Sequence, residues 1–331
     1  SEGGRETLFI DRKGDMYACP RSGIRMGNFY DDSTSDFQPF CLRKVCDCYI
    51  AFSNLTSHPL HRIMGAGAFW RIPDKPFITS VFFDVDGTLV PLKGAARPRT
   101  LEALRRLHQN GIRLCIATGR APMEVPKFEG VTFDAFLTYN GSYCFTPERD
   151  VFKNLIPKAD IALLRRNAEA LGRPMALATK DRLAANGSDP DLAEYFAIGG
   201  VELVIADDFD AMAQGEIFQV LMSGREEEYP AILKDVPHAK IAAWWNRAVD
   251  IIPASGGKGI AVEKVLEFYG IDKSDSMAFG DGNNDIEMFR AVGTGVAMAN
   301  ASARLQAAAT AHCRDVKEDG IYWYCVENGL I

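Results

Sequence analysis

The sequence predicts an α/β protein: a parallel-sheet core, a second α+β unit inserted into that core, and an irregular cysteine-rich segment ahead of both. Three observations carry this expectation. From Phe77 onward, short apolar runs alternate with helix-patterned stretches, the signature of strand–helix–strand units in a parallel sheet. Several of those runs end in acids, glycines or hydroxyls, and α/β sheets place their ligand crevices at the carboxyl ends of strands. The alternation breaks between residues 142 and 253 and resumes at 254, so one domain-sized stretch interrupts another. The expected division is 1–76, 77–141, 142–253 and 254–331.

A chain of 331 residues has room for two or three domains. Its formal charge of −7 argues against a nucleic-acid footprint. No apolar run is long enough to span a membrane, and no charged-then-apolar secretion signal opens the sequence. The expected location is cytoplasmic. The first residue is Ser1, which fits a start that is processed, tagged or cut from a longer polypeptide.

Residues 1–76 are rich in Gly, Ser, Asp and Cys and show little helical periodicity. Leu8-Phe9-Ile10 and Met16-Tyr17-Ala18, joined through Asp11 to Asp15, read as a hairpin. Cys19-Pro20, Met26-Gly27-Asn28 and the group Cys41, Cys46 and Cys48 follow. With Gly14 to Ala18, these pieces resemble the auxiliary iron–sulfur segment (SPASM or twitch type) of radical-SAM enzymes. Four thiolates are the right number for a 4Fe–4S cluster or a tetrahedral zinc. The alternative is an extension with free thiols. The C-x3-C-x2-C triad of radical-SAM chemistry is absent from the sequence.

Pro73 to Pro76 mark the boundary, and Val81-Phe82-Phe83 reads as a buried strand. It delivers Asp84-Val85-Asp86-Gly87-Thr88. Alternate residues of an extended segment share a face, so Asp84 and Asp86 start on one side. Gly87 lets the chain leave the strand at once. Two crowded carboxylates call for a cation or a shared proton; the plain alternative is an acidic turn that caps the next helix. That helix is expected over Arg99 to Asn110, ended by Gly111. The strand 112–117, with Cys115 as a small core residue, ends in Thr118-Gly119-Arg120, a hydroxyl and an amide suited to an anion. A third strand, Phe133 to Tyr139, ends at Asn140-Gly141.

Inside the insertion, helices are expected at Lys158 to Leu171 and Asp189 to Phe196. Strands are expected at Met175 to Ala178, Glu216 to Met222, Lys240 to Trp244 and Ala248 to Ile252. Lys180, Asp181, Trp244 and Asn246 are the candidates for selecting a ligand there; the pair Trp244-Trp245 is suited to line a substrate pocket, and at least one of the two is expected in the core. Beyond it, Lys258 opens a helix against the macrodipole, which an intervening anion makes tolerable. The strand Ser276 to Phe279 delivers Gly280-Asp281-Gly282-Asn283-Asn284-Asp285, a second acidic half-site for a hard cation such as Mg2+. A last strand, Gly295 to Met298, and a last full helix, Ala301 to Ala311, close the pattern.

The Asp84 motif, Thr118-Gly119-Arg120, Lys258 and the Asp281 motif, in this order and with the insertion before Lys258, resemble the haloacid-dehalogenase superfamily. Within it the likeness is to the Cof-type phosphatases with a large α/β (type IIB) cap. The resemblance covers residues 78–331, including Asn140-Gly141, 297–301 and 318–321. It implies a Rossmann-like core, a Mg2+-dependent phosphatase of a small phosphorylated metabolite and an aspartyl-phosphate intermediate. Sugar phosphates and phosphorylated cofactors are the substrate classes implied. Asp84 would be the nucleophile and Asp86 the acid–base. Thr118 and Lys258 would stabilise the phosphoryl group. Asp84, Asp86, Asp281 and Asp285 would serve the metal. Gly87, Thr88, Gly119, Arg120 and Asn284 would bind phosphate or substrate. A phosphotransferase or mutase on the same core is the alternative. Another is a regulatory module whose Cys19, Cys41, Cys46 and Cys48 bind an Fe–S cluster or zinc.

Overall fold

The computed structural model describes residues 78–92, 94–243 and 245–331, together with three short strands near the N-terminus. Those three, β1 (Phe9–Ile10), β2 (Asp15–Tyr17) and β3 (Arg25–Asn28), form a small antiparallel sheet in the order β1-β2-β3. The hairpin read from Leu8 to Ala18 is thus present as the β1–β2 pair. Cys19, Cys41, Cys46 and Cys48 lie outside the described residues, as does Trp244.

Residues 78–331 form one compact unit with two sheets. The larger is built from β4 (Ser80–Phe83), β5 (Arg113–Ala117), β6 (Ala135–Thr138), β7 (Tyr143–Phe145), β8 (Asp150–Lys153), β14 (Ser276–Gly280), β15 (Thr294–Ala297) and β16 (Ala311–His312). Its strand order is β16-β15-β14-β4-β5-β6-β7-β8. Pairing is parallel from β16 to β6, while β7 and β8 add antiparallel strands at one edge. The smaller sheet is antiparallel and runs β10 (Leu183–Ala185), β9 (Met175–Ala178), β11 (Gln219–Ser223), β13 (Ala248–Pro253), β12 (Ala239–Ala242).

Strand β4 sits in the middle of the large sheet and is buried along its whole length. Its alternation sorts the two cores. Val81 and Phe83 join a cluster with Leu104 and Leu107 of helix Pro98–Gln109 and Ile321 and Cys325 of helix Gly320–Glu327. Phe82 faces the opposite way, into Val262, Val265 and Leu266 of helix Lys258–Tyr269. Each such side chain contributes roughly 1.5–3 kcal/mol on burial. Phe83 stacks on Phe279 of β14 at 5.5 Å, which locks the register of the two strands that carry the acids.

The smaller sheet is also covered on both faces. Val220, Met222, Val249 and Ile251 pack against Ile161 and Leu164 of helix Lys158–Ala170. Leu221 and Ala248, on the other face, pack with Tyr195 and Phe196 of helix Pro190–Ile198 and with Tyr139 of the core.

Two expectations need correction. The segment from 142 does not begin the second sheet: β7 and β8 pair with β6 and widen the core sheet, and the smaller sheet draws its strands from 175 onward. The tight reversal at Tyr139 and Asn140, both at positive φ, folds the chain straight back on β6. The helix expected over Ala301 to Ala311 is also shorter and is not the last, since helix Gly320–Glu327 follows it. The former spans Ala303–Ala308, because the Ser302 hydroxyl caps it by accepting from Leu305 N, and β16 starts at Ala311.

Candidate active site

The carboxyl ends of β4, β5 and β14 converge, and the acids read from the sequence meet there. Asp84 follows β4, is 7% exposed, and lies with Asp281 and Asp285 in a cluster whose carboxylate oxygens fall within 4.8 Å of one another. Lys258, 1% exposed at the start of its helix, donates to Asp84 Oδ1 and Asp285 Oδ1, both at 2.6 Å. Burial opposes its charge, but the two carboxylates outweigh burial and hold the ammonium protonated, above its ordinary value.

Asp285 is fully buried and spends both oxygens: Oδ1 on Lys258, and Oδ2 on the amides of Asp281 and Gly282 at 3.0 Å each. It therefore orders the loop that carries Asp281 and fixes Lys258. Asp281 accepts from the Thr88 hydroxyl at 3.0 Å, so Thr88 positions an acid. Asn300 donates to the Gly87 carbonyl at 2.8 Å and reaches Asp281 Oδ2 at 3.5 Å. Gly87, at φ +84°, leaves room for that carboxylate: a Cβ there would stand 2.1 Å from Asp281 Oδ2.

Asp86 turns to the other side of the loop. Arg120 grips it in a two-pronged pair, Nε to Oδ2 and Nη2 to Oδ1, both at 2.7 Å. Thr118, 1% exposed, accepts from the Arg120 amide through its hydroxyl at 3.1 Å. Asn284 donates to Asn140 Oδ1 at 3.0 Å.

Burial pushes Asp84 up to about 7, with Lys258 pulling down and Asp285 and Asp86 adding to the rise. Burial, then the charges of Asp84 and Asp285, push Asp281 up to about 9. Three clustered carboxylates share one ammonium, so all three can ionise together only when a further cation joins them. A hard divalent cation with oxygen ligands suits that donor set.

Asp84, Asp86, Thr118, Gly119, Arg120, Asp281 and Asn284 line a cavity of about 390 Å³; Lys258 and Asp285 support Asp84 and the Asp281 loop from outside its lining. The cavity extends to the smaller sheet and its helix, where Leu183, Tyr195, Phe196, Gln219, Leu221, Trp245 and Asp250 line it. Lys180, Asp181 and Asn246 are not among its lining residues. Lys180 pairs with Asp150 at 3.2 Å, Asp181 accepts from the Thr179 hydroxyl at 3.1 Å, and Asn246 is exposed.

Sequence reasoning missed a buried polar group that joins the two sheets across this cavity. Asp250, 1% exposed on β13, accepts from Tyr195 Oη at 2.6 Å and from Asn140 Nδ2 at 2.8 Å. Asn140 also donates to Gln219 Oε1 at 3.1 Å. The signal was an acid inside the apolar run Ala248-Val249-Asp250-Ile251-Ile252, which a wholly buried strand does not tolerate without partners.

The fold and the carboxylate cluster belong to a known class. The chain belongs to the haloacid dehalogenase-like hydrolases, whose family model matches residues 81–324, and it is a phosphoric monoester hydrolase of that family. It is 33% identical over 254 residues to the YkrA protein of Bacillus subtilis (strain 168), covering 76% of this chain and 98% of that one. It is 29% identical over 248 residues to the HMP-PP phosphatase of Escherichia coli O6:H1, covering 70% of this chain and 90% of the relative. Among solved structures, the subclass IIB sugar phosphatase BT4131 superposes with a TM-score of 0.71 at 28% identity, covering 76% of this chain and all of the other. The family match starts at residue 81, downstream of the four N-terminal cysteines. No helix among the described residues is long and apolar enough to cross a membrane.

Proposed function

We propose that this chain is a Mg2+-dependent phosphatase that hydrolyses a small phosphorylated metabolite through an aspartyl phosphate on Asp84. The observation that carries the reading is the buried Lys258 ammonium held between Asp84 and Asp285, behind a ligand-sized cavity that Asp84 and Asp281 line. Relatives named as an HMP-PP phosphatase and a sugar phosphatase support the class of substrate, a phosphorylated cofactor precursor or sugar.

Asp84, Asp281 and the main-chain carbonyl of Asp86 would hold the metal, which when bound offsets the repulsion between an anionic nucleophile and an anionic ester. The chain's own groups do the rest. Lys258 keeps the attacking carboxylate of Asp84 oriented and adds positive charge beside the phosphoryl oxygens. The Thr118 hydroxyl and nearby amides bind those oxygens as charge develops. Asp84 attacks phosphorus, and the ester oxygen leaves as the new acyl phosphate forms. Asp86, once it frees one oxygen from Arg120 and takes up a proton from solvent, donates that proton to the leaving alkoxide, then takes one from the water that attacks the phosphorus of the acyl phosphate. Arg120 fixes which way the Asp86 carboxyl points. The residues from the smaller sheet close the far side of the cavity and exclude water.

The test is release of inorganic phosphate from p-nitrophenyl phosphate with Mg2+. Wild-type protein should turn over and Asp84→Asn should lose at least a thousandfold; equal rates from both would overturn the reading.

A further inference from the structure

We infer that the leaving group accepted here is flat and largely apolar, an aromatic or heteroaromatic alcohol whose phosphate sits on a short alkyl arm, and not a polyhydroxylated sugar. The inference rests on the phosphatase reading and narrows its substrate class.

The cavity has a polar end and an apolar wall. Asp84, Thr118, Arg120 and Asp281 make the first, flanked by Asn283, Asn284, Asn300 and Ser302, of which Ser302 donates to Asn283, Asn284 to Asn140 and Asn300 to the Gly87 carbonyl. Leu183, Phe196, Val201, Leu221 and Trp245 make the second, and Leu92, 57% exposed, adds a further apolar side chain to the lining. The Tyr195 and Trp245 rings lie 6.0 Å apart at 37°, an aromatic pair along that wall.

Hydrogen-bond accounting decides between the two kinds of leaving group. The polar side chains of the wall are Tyr195, Gln219 and Asp250, and each is already committed. Tyr195 donates its hydroxyl to Asp250 Oδ1 at 2.6 Å, and Asp250 Oδ2 takes a hydrogen from Asn140. Gln219 accepts from Asn140 at 3.1 Å and donates to the Gly119 carbonyl at 3.4 Å. A sugar pressed against this wall would give up water at several hydroxyls and find few free partners, and each stranded hydroxyl is costly. A planar ring loses little water there and gains dispersion and ring stacking. Glu124, whose Oε2 accepts from the Ala121 amide, lines the same cavity and keeps its other oxygen for one donor. That suits a single ring N–H or amino group better than a row of hydroxyls.

The experiment compares kcat/KM, with Mg2+, for benzyl phosphate, ribose 5-phosphate and glucose 6-phosphate. All three are esters of primary alcohols, so leaving-group chemistry alone gives none of them a large advantage. Benzyl phosphate should lead both sugar phosphates by about tenfold or more, the size of one ring contact plus one stranded hydroxyl. Trp245→Ala should shrink that lead about fivefold, mainly through KM. A sugar phosphate that equals or beats benzyl phosphate would overturn the inference, and so would a lead untouched by Trp245→Ala. Hydrolysis of p-nitrophenyl phosphate that depends on Asp84 separates the two levels. If it persists while the sugars win, only the substrate class is wrong; if it is absent, the phosphatase reading falls as well.

Discussion

Lys258 shows how one residue can serve both stability and chemistry. Its ammonium is fully enclosed and touches two carboxylates, so removing it leaves Asp84 and Asp285 facing each other without a cation. Breaking a buried pair of this kind costs about 3–5 kcal/mol. Lys258→Met should therefore lower the melting temperature by several degrees and cut kcat at least a hundredfold, read by calorimetry and phosphate release. Arg120 makes a different bid: only a guanidinium can grip both oxygens of Asp86 at once. Arg120→Lys keeps the charge and loses the fork, and kcat should fall about tenfold or more with the melting temperature nearly unchanged. Asp250 gives the pH signature. Burial pushes its carboxyl up to about 7, against hydrogen bonds from Tyr195 and Asn140 that pull it down. A carboxyl raised on folding keeps its proton in the native state after the unfolded chain has lost it. Its contribution to stability therefore declines as pH climbs from about 4 to about 7. Asp250→Asn cannot ionise, so the variant-minus-wild-type difference in melting temperature should be more positive at pH 8 than at pH 5, by about 3 °C or more. Asp84, Asp281 and Lys258 were legible because charged residues at strand and helix ends are conspicuous. Asp250 and Gln219 were not, since their roles depend on Asn140, 110 and 79 positions away in the chain respectively.

At the scale of elements, the loop after β4 is the most constrained piece. β4 ends at Phe83, so Asp84 and Asp86 both lie beyond the strand, where period-two alternation no longer governs them. Lys258 then holds the first and Arg120 the second, so the two carboxylates enter different surroundings. Gly87 permits both the turn and the approach of Asp281. Gly87→Ala should cost about 1–3 kcal/mol from its left-handed backbone and should cut turnover far more than stability, because the added methyl displaces Asp281. Parallel kinetics and thermal melts would separate the two losses. The strands of the core were readable from apolar runs ended by glycine or acid. β7 and β8 were not expected as strands at all: residues 142–153 were read as the start of the insertion, and only pairing to β6 shows that they extend the core sheet.

Across the whole molecule, the site is shared between a parallel sheet that carries the reacting groups and an antiparallel sheet that covers them. Asn140 is the stitch between the two, bonded to Gln219 and Asp250 on one side and Asn284 on the other. The order of motifs around an insertion was legible because topology is written in chain order. The Trp244-Trp245 pair hinted at the lining of the second sheet, but its meeting with helix Pro190–Ile198 was hidden, since Trp245, in the loop before β13, reaches Tyr195 only through packing. The acid cluster's need for a further cation makes a global prediction. Saturating Mg2+ should raise the melting temperature of the wild type, by about 3 kcal/mol of stability at a hundred times the dissociation constant. Asp281→Asn should remove most of that rise, a readout that needs no turnover.

The central claim is that Asp84 carries the phosphoryl group. It is tested most directly by acid-quenching the protein during turnover of a radiolabelled phosphate ester and locating the label by peptide mapping. The account predicts acid-stable, base-labile label on the peptide containing Asp84, absent from Asp84→Asn and longer-lived in Asp86→Asn, where the second proton transfer is impaired. Rapid turnover with no label on the protein in either form, or label on another residue, would contradict it.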